Sequence, residues 1–399
     1  SGDSVMPLVH MKDLLSHAYA HGYAVGAFDV VSLEFVEGVM AAAERSRAPV
    51  ILSLAESHLE HYDFELLMSG VEAAARRSAV PVALHFDRGA NLEAAVRAIR
   101  LGCNGVMVDA SQSTFSDNLT HTKTVVDMAH ACGVPVEGDL GYIPDAADIN
   151  PQGGYPATAP YTTVAEAKGF VERTGVDFLV VSIRAEQSCP NSKAKLDIQR
   201  LRSINQALGI PLAIHCRTRL DDDQFRRLIV HGVAKINYFT ALAEAANAAI
   251  SARAKSAPGA GYLDLVQGVG AAISAEAERC MRVWGAAGRA AEVLACCRPW
   301  TSVEHLIIHN VIGISEKEVT AMMIEGQQAL STIPGVRSVI TGKAMRERAQ
   351  YRYCWQVRFA APEVINSYHE HPDYVAFTNR RFRPVADREI SIDYAMESL

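Results

Sequence analysis

The stretch VPVALHFDRG (80–89) decides how the fold is interpreted. Its first half is almost continuously apolar, as expected for a strand that is buried on both faces of a parallel sheet. Its second half turns polar at once, with an aspartate and an arginine side by side, Asp87 and Arg88. The stretch therefore predicts a buried strand that ends in a polar loop.

The same pattern recurs between residues 24 and 239. The other apolar runs are AVGAFDV (24–30), VILSL (50–54), GVMVDA (105–110), PVEGDL (135–140), DFLVVSI (177–183), PLAIHC (211–216) and AKINYF (234–239). Amphipathic stretches of helical period separate the runs, and several end in glycine, which is typical of helix C-termini. Eight strands, each followed by a helix, predict an α/β fold of the TIM (βα)8 barrel type. A doubly wound open sheet is the alternative.

Polar side chains follow nearly every one of these strands. In a barrel the carboxyl ends of the strands converge on one face, so these side chains predict an active site there. The strand-end residues are Asp29, Glu56, His85 to Arg88, Asp109, Asp139, Arg184 to Gln187, His215 to Arg219 and Asn237 to Thr240. The long Pro- and Gly-rich segment 141–163 is expected to be a lid over this site.

Composition excludes several functions. The formal net charge of −7 argues against a nucleic-acid or anionic-membrane partner, which would require a basic excess. No apolar stretch approaches the ~20 residues of a membrane span, and no basic-then-apolar leader opens the sequence. The eight cysteines show neither a Cys-x-x-Cys pair nor a disulfide framework. A reduced, cytoplasmic protein is the expectation.

A second unit is predicted near the C-terminus. VEHLIIHNVI, VRSVITG, YRYCWQVRFA and REISIDY have the character of strands, and they alternate with one helix at 315–333 and another at 361–385. This is the pattern of a compact α+β domain. The expected division is a barrel at 6–285, a linker at 286–300 and an α+β domain at 301–399.

The strand ends also carry a family resemblance. YAVGAFDV, LHFDRG, GVMVDAS, VEGDLG, IHCRTR and GVAKINYFT occur in the order seen in class II ketose-bisphosphate aldolases, the zinc-dependent fructose- and tagatose-bisphosphate type, which the chain resembles over residues 6–285. VEHLIIHNV, IPGVRSVITG and YHEHPDYVAF resemble the stress-responsive Dabb family of dimeric, ferredoxin-like domains. The second resemblance implies a homo-oligomer, a dimer or higher, formed through the Dabb domain.

The first resemblance implies a zinc site that this sequence does not keep. In the family the third strand ends His-x-Asp-His, where the aspartate moves a proton and the final histidine binds zinc with two further histidines, after strands six and seven. Asp87 and His215 match two of these positions. Arg88 replaces the first zinc ligand and Gln187 the second; a guanidinium offers no lone pair, and an amide is a weak zinc ligand. We therefore expect no metal or other cofactor, with zinc as the less favoured alternative.

The phosphate-binding motifs are altered as well. Cys216, Arg217, Thr218 and Arg219 stand where the family has Gly-Gly-Ser-Gly, and Asp29 and Val31 replace an Asn-x-Asn. Asn237 and Thr240 keep an Asn-x-x-Thr pattern. Arginines 88, 184, 217 and 219 provide the guanidinium groups that can bind an anion through paired hydrogen bonds.

These observations give three hypotheses for function. The leading one is a metal-independent, aldolase-like carbon–carbon lyase, or a related enolate enzyme, acting on a small anionic hydroxylated carbonyl compound. Asp87, His215 and Arg88 are its expected catalytic residues. The expected substrate-binding residues are Arg184, Gln187, Arg217, Arg219, Asn237, Thr240, Asp29 and Asp139. The others are a non-catalytic binding or scaffolding protein, in which Arg88 plugs a dead site by ion pairing, and an aldolase whose metal site is rebuilt from Asp109, Asp139 and His215.

Overall fold

The computed structural model describes residues 7–140, 162–183, 196–216 and 220–396. Its first domain is a closed barrel of parallel strands in the order β1 to β8. Closure is made by β1 pairing with β8, where Ala27 lies opposite Asn237. The predicted TIM (βα)8 barrel is therefore confirmed, and the open doubly wound sheet is excluded. The strands are β1 (Val25–Asp29), β2 (Val50–Ala55), β3 (Val82–Gly89), β4 (Gly105–Val108), β5 (Val136–Leu140), β6 (Phe178–Val181), β7 (Leu212–Cys216) and β8 (Val233–Tyr238).

Helices surround the barrel, and one helix follows each strand. The helices of this domain are α1 (Met11–His21), α2 (Leu33–Ser46), the short 3₁₀ helix η1 (Glu56–His58), α3 (Phe64–Arg76), α4 (Leu92–Leu101), α5 (Phe115–Ala131), α6 (Val164–Thr174), α7 (Ile198–Leu208), α8 (Asp222–Val230), α9 (Thr240–Ser256), α10 (Tyr262–Val266), α11 (Val269–Val283) and α12 (Ala290–Cys296). Short polar side chains cap the N-termini of several of these helices. Asn91, Thr114 and Asp197 accept a hydrogen bond from a backbone N–H in the first turn of α4, α5 and α7. These caps fix the residues at which the helices begin.

The interior of the barrel is unusually polar for a protein core. Met107, Val180 and Ala213 form a small apolar cluster that is separate from the main core between strands and helices. Polar and charged side chains are also fully buried in the strands: Ser53, His85, Asp87, Glu137, Asp139, Lys235 and Asn237. Buried groups of this kind require hydrogen bonds, ion pairs or a bound proton, so their pairing determines the chemistry of the barrel.

The C-terminal domain is an antiparallel sheet in the order β10-β11-β9-β12, covered by helices. Its strands are β9 (Val303–Val311), β10 (Val336–Lys343), β11 (Tyr353–Phe359) and β12 (Ala386–Ala395), and its helices are α13 (Glu316–Leu330), α14 (Val364–Glu370), α15 (Pro372–Phe377) and a π-helical turn (Thr378–Phe382). The expectation of a ferredoxin-like α+β unit is confirmed.

One predicted element of this domain was wrong. The sequence predicted a single helix over 361–385, but the structure breaks it between Glu370 and Pro372. His371 has an extended backbone conformation, with φ −65° and ψ 134°. A residue that precedes proline is disfavoured in the α conformation, and proline itself is accepted at the first position of a new helix. Pro372 therefore ends one helix and begins the next.

The predicted linker, residues 286–300, is packed against the barrel. It contains α12, and its last residues run beside the start of the chain. Trp300 donates its backbone N–H to the carbonyl of Leu8 at 2.8 Å, and Val9 forms an antiparallel bridge with Pro299. These contacts hold Pro299 and Trp300 against the first residues of the barrel domain. The chain therefore enters the C-terminal domain from a position that is fixed to the barrel.

Arg337 of β10 attaches the C-terminal domain to the barrel. Its guanidinium donates to both carboxylate oxygens of Glu72 in α3, at 2.8 and 2.6 Å. It also donates to the carbonyls of Arg100 and Leu101 at the C-terminus of α4, both at 3.2 Å. Ser367 of α14 reaches the carbonyl of Ala131 at the end of α5. These contacts lie at helix C-termini, which are at the amino ends of the barrel strands. The C-terminal domain is therefore at the opposite end of the barrel from the polar strand ends.

The predicted lid, 141–163, lies almost entirely outside the described residues. In the part of the chain that the structure describes, no helix has both the length and the apolar character required to cross a membrane.

Replacing Arg337 with alanine should weaken the attachment of the two domains. The change leaves the largely buried Glu72 carboxylate without its main partner, and the surrounding guanidinium holds the pKa of Glu72 at about 2. We expect a loss of about 3 kcal/mol in the free energy of unfolding, the low end for one partner of a buried pair. Urea unfolding followed by tryptophan fluorescence measures this loss.

The control is Arg253→Ala, which removes an exposed ion pair to Asp264 and should cost under about 0.5 kcal/mol. Equal losses in the two variants would contradict the assignment.

Candidate active site

The end of β3 is bent by a bulge at Asp87 and Arg88. The pairing of β3 with β4 shifts register between Phe86 and Gly89, and Arg88 has a left-handed backbone with φ 56°. Such a conformation costs a non-glycine residue about 1–2 kcal/mol and is found where the surrounding structure enforces it. Gly89 permits the bulge, since a Cβ there would lie 2.9 Å from the carbonyl oxygen of Met107.

The bulge turns Arg88 toward acidic side chains. In a regular strand successive side chains point to opposite faces, so Asp87 and Arg88 would point apart. Here Nε of Arg88 lies 4.0 Å from Oδ2 of Asp87, and Nη1 lies 3.6 Å from Oδ2 of Asp109 at the end of β4. The arginine thus places a permanent positive charge between the ends of β3 and β4.

Asp87 has the properties of a proton carrier. It is 1% exposed, and its Oδ1 atom has no hydrogen-bond partner among the described residues. Burial raises the pKa of Asp87 to about 6, while the charges of Lys235 and Arg88 oppose that rise. A carboxyl group with a pKa near neutrality can both accept and return a proton.

Two other buried aspartates hold protons more tightly. Burial, followed by the charge of Asp87, raises the pKa of Asp29 to about 8. Burial and the charge of Asp109 raise the pKa of Asp139 well above its ordinary range. Both shifts favour the neutral carboxyl group, which is a poorer ligand for a cation than a carboxylate.

Lys235 provides the second buried positive charge. Its ammonium group is fully buried and lies 3.0 and 2.8 Å from the two carboxylate oxygens of Glu137. It also donates to Oδ1 of Asn237 at 2.6 Å. The ion pair occupies the amine of Lys235, which favours the structural role for this residue over a Schiff base. Lys235 binds the amide oxygen of Asn237, and Nδ2 of that amide donates one hydrogen bond to Oε1 of Glu137 at 3.4 Å, so one N–H of the amide is left for other partners.

The structure brings together some of the sequence-predicted residues. His215 lies opposite Asn237 on neighbouring strands β7 and β8. Burial, followed by the charges of Lys235 and His215, lowers the pKa of His85. Thr240 begins α9 and is exposed; it lines a separate cavity of about 500 Å³ between β7, β8 and their helices, together with Cys216 and Arg279. Arg184, Gln187, Arg217 and Arg219 lie outside the described residues.

Two residues of the segment after β2 were missed by the sequence interpretation. The ring of His58 contacts Phe239, with centroids 4.4 Å apart. The hydroxyl group of Tyr62 is buried and has no hydrogen-bond partner among the described residues. Burial, and after it the charge of Asp29, raises the pKa of Tyr62. Only their position after a barrel strand, in SHLEHY (57–62), could have indicated them.

The described residues do not fit the catalytic zinc of the resembling family. Arg88 offers no lone pair to a metal. Asp109 accepts a hydrogen bond from Ser111 at 2.6 Å and faces Arg88, so its carboxylate is already used. Within the described ranges, no group of three His, Cys, Asp or Glu side chains is placed to hold a metal ion. The alternative site of Asp109, Asp139 and His215 is not formed by these residues either.

Comparisons with known proteins agree with the barrel and with the C-terminal domain. The family model described as "Fructose-bisphosphate aldolase class-II" matches residues 9–289, and the one described as "Stress responsive A/B Barrel Domain" matches residues 303–396. The chain therefore belongs to the class II fructose-bisphosphate aldolase family and carries a C-terminal Dabb domain. Both resemblances noted in the sequence are confirmed.

Individual relatives support the same assignment. The fructose-bisphosphate aldolase of Staphylococcus aureus strain Mu50 is 34% identical over 238 residues, which are 59% of this chain and 82% of that protein. The probable fructose-bisphosphate aldolase of Bacillus subtilis strain 168 is 33% identical over the same shares. Among solved structures, the YdjI aldolase of Escherichia coli K12 superposes with a TM-score of 0.62 at 30% identity, covering 71% of this chain and 99% of its own.

The raised pKa of Asp29 predicts how stability depends on pH. Because the folded state binds this proton more tightly than the unfolded chain, stability is fully present at low pH and is lost as pH rises from about 4 to about 8. Asp29→Asn should therefore reduce the fall in unfolding free energy between pH 5 and 8, and the variant should be more stable than the wild type at pH 8. Urea titrations at several pH values measure the free energy of unfolding.

Asp223→Asn, on the exposed face of α8, is the control and should leave the dependence of the unfolding free energy on pH unchanged. An unchanged slope in Asp29→Asn would contradict the tight proton binding.

Proposed function

We propose that the barrel catalyses aldol-type cleavage or formation of a carbon–carbon bond through an enolate, without the zinc ion of its family. The substrate is a small anionic, hydroxylated carbonyl compound. The observation that carries this proposal is the pairing of a buried Asp87, poised to exchange a proton near neutral pH, with the permanent charge of Arg88 at 4.0 Å. Membership of the aldolase family supports the reaction class.

In the cleavage direction Asp87 acts first. Its carboxylate takes the proton of the carbinol hydroxyl, the adjacent carbon–carbon bond breaks, and the freed oxygen becomes the carbonyl of the leaving aldehyde. The electron pair of that bond passes into the neighbouring carbonyl group to give an enolate. Arg88 supplies positive charge to this developing anion in a site largely shielded from water. The proton on Asp87 then returns, directly or through water, to the enolate carbon.

Other residues position the substrate. Lys235 and Glu137 hold the amide of Asn237, and its second N–H is left to donate to a substrate oxygen. His215, on the neighbouring strand, is assigned to assist proton transfer. We assign Asp139 as a hydrogen-bonding residue of the same site, since burial raises its pKa and so favours a carboxyl group that can donate. Arg184, Gln187, Arg217, Arg219 and Thr240 remain predictions as substrate-binding residues.

A non-catalytic binding protein is the second candidate. The observation that favours it is that Arg88 faces both Asp87 and Asp109, as a side chain that plugs a former metal site would. In that case the barrel binds a ligand or stabilises an assembly but turns nothing over. The two candidates differ in whether Asp87 exchanges protons with a bound compound.

The enolate chemistry can be tested without the natural substrate. Dihydroxyacetone phosphate, an aldol donor of the proposed class, should exchange an α-proton with D2O when incubated with protein that has been treated with a chelator and freed of metal. Asp87→Asn should lower this rate by about 10²–10⁴-fold, because the general base is removed. Proton NMR measures the exchange.

The matched control is Asp127→Asn, which changes an exposed aspartate of α5 that pairs with Lys123. It should leave the rate unchanged. Full exchange by Asp87→Asn would remove the proposal, and so would exchange that appears only after zinc is added. No exchange by the wild type would favour the binding-protein alternative.

We also propose that the chain forms a dimer through the Dabb domain. Leu306 and Ile308 of β9 lie in register with Ile392 and Ile390 of β12, on the sheet face turned away from the helices. With Ile340 of β10 they define an open apolar sheet face. Four strands are too few to close a barrel, so a second copy of the sheet is the occupant that fits the family description.

Ile392→Glu tests this assembly. A charge in the centre of a dry interface should shift the protein from dimer to monomer, as measured by size-exclusion chromatography with light scattering. Val230→Glu is the control, because Val230 is a still more exposed apolar residue at the end of α8, away from the sheet. A monomeric wild type, or a variant that stays dimeric, would contradict the proposed interface.

A cytoplasmic location, with a small molecule as the main partner, completes the proposal. The seven cysteines within the described ranges are all free thiols there, which is the state maintained in a reducing compartment.

A further inference from the structure

Three buried polar side chains form a closed ring across the interior of the barrel. Glu137 on β5 and Lys235 on β8 are fully buried, and Asn237 on β8 is 3% exposed. Nζ of Lys235 lies 3.0 and 2.8 Å from the two carboxylate oxygens of Glu137 and 2.6 Å from Oδ1 of Asn237. Nδ2 of Asn237 closes the ring by donating to Oε1 of Glu137 at 3.4 Å. Each member of the ring therefore contacts both of the others.

The ion pair of this ring lies one layer deeper in the barrel than the polar strand ends. In the order of the barrel strands β6 and β7 separate β5 from β8, so a contact between β5 and β8 crosses the interior. Alternate residues of a strand share a face. Glu137 therefore lies one step below Asp139, and Lys235 lies one step below Asn237, toward the amino ends of the strands. The ion pair thus supports the residue of β8 that reaches the proposed site.

The two charged groups determine which way the amide of Asn237 is turned. An ammonium group only donates hydrogen bonds, and a carboxylate only accepts them. The amide oxygen must therefore face Lys235 and the amide nitrogen must face Glu137, because the reversed amide would set donor against donor and acceptor against acceptor. One N–H of the amide is used by Glu137, and the other is left for a further partner. Asn237 thus presents a donor in an orientation that its two neighbours set.

Stability alone does not account for an ion pair at this depth. Removing two charges from water is costly, and replacing such a pair by apolar residues of similar volume is often neutral for folding. The surroundings would accept an apolar side chain, since Lys235 pairs across the strands with Ala213, which forms an apolar cluster with Met107 and Val180. What the pair supplies here, and apolar residues would not, is the orientation of Asn237.

We propose that Glu137 and Lys235 are positioning residues that lock the amide of Asn237 as a hydrogen-bond donor, so that the site selects a substrate with an acceptor oxygen, of a carbonyl or carboxylate group, at this point. This assignment rests on the proposed function, in which Asn237 binds the substrate. A donor that is already oriented stabilises negative charge developing on such an oxygen without reorganisation. Glu137 and Lys235 act on the substrate through Asn237 and not by direct contact.

The first test measures the amide itself and requires no substrate. In deuterated, ¹⁵N-labelled full-length protein, the side-chain resonance of Asn237 is assigned by its loss in Asn237→Ala. A locked amide should have an order parameter of about 0.85, like rigid backbone, and the double variant Lys235→Met/Glu137→Met should lower it below about 0.6. A mobile amide in the wild type would overturn the proposal whatever the activity, and this value can be measured even if the double variant does not fold.

The second test asks whether the ion pair acts through Asn237, using α-proton exchange of dihydroxyacetone phosphate at saturating concentration. The double variant should lower the exchange rate by about 10–100-fold, the usual loss when a supporting partner of a site residue is removed. Asn237→Ala should lower it by about 10²–10³-fold, as expected for the loss of one oriented donor. The triple variant should lose no more than Asn237→Ala alone, because no amide remains to be positioned.

Arg337→Met/Glu72→Met is the matched control, because it replaces a largely buried ion pair at the other end of the barrel. It should leave the order parameter of Asn237 and the exchange rate unchanged. Losses that add in the triple variant would overturn the positioning role, and so would an amide that stays rigid in the double variant. A wild-type protein that exchanges nothing while its Asn237 amide is rigid would overturn the proposed reaction, but not the locked amide.

Discussion

Among the described residues, the interior of this barrel buries more acidic groups than cations. Asp29, Asp87, Glu137 and Asp139 are all buried, and the described residues offer them Lys235 and Arg88. Uncompensated charge in such a place is costly, so burial favours the protonated form of a carboxyl group that lacks a cation. Glu137 forms an ion pair with Lys235, and burial raises the pKa values of Asp29 and Asp139. Asp87, next to Arg88, is left with a pKa near neutrality. The proton chemistry of these residues thus follows from the balance of buried charges.

Arg88 shows what placing a cation beside Asp87 requires of the backbone. An arginine in a regular strand would have pointed away from Asp87. The bulge and the left-handed conformation turn the guanidinium toward Asp87 and Asp109, and Gly89 makes room against β4. This strain is maintained by the surrounding barrel, since the local sequence does not favour it.

The fold could be predicted from the sequence because each barrel strand is encoded by a short local pattern. VPVALHFDRG and its seven counterparts carry the burial of each strand and the polar end of each in one short run. Features that depend on contacts between distant parts of the chain could not be predicted from the sequence. Arg337 and Glu72 are 265 residues apart, and the contact of His58 with Phe239 depends on the path of the loop after β2. The left-handed backbone of Arg88 opposes its own local preference. The broken helix at Pro372 is different, because the proline was present in the sequence and the periodic pattern around it was given more weight.

The polar strand ends and the C-terminal domain lie at opposite ends of the barrel because all of the barrel strands run in the same direction. Parallel strands place every polar carboxyl end on one face, and the helices that follow run back to the other face, where Arg337 and Ser367 attach the C-terminal domain. That domain lies away from the polar strand ends, because the full depth of the strands lies between them. It therefore acts on the barrel through the helix C-termini that it contacts. Arg337 binds the C-terminal turns of α3 and α4, the helices that precede and follow β3 in the chain. The attachment thus supports the two helices that flank the strand carrying Asp87 and Arg88.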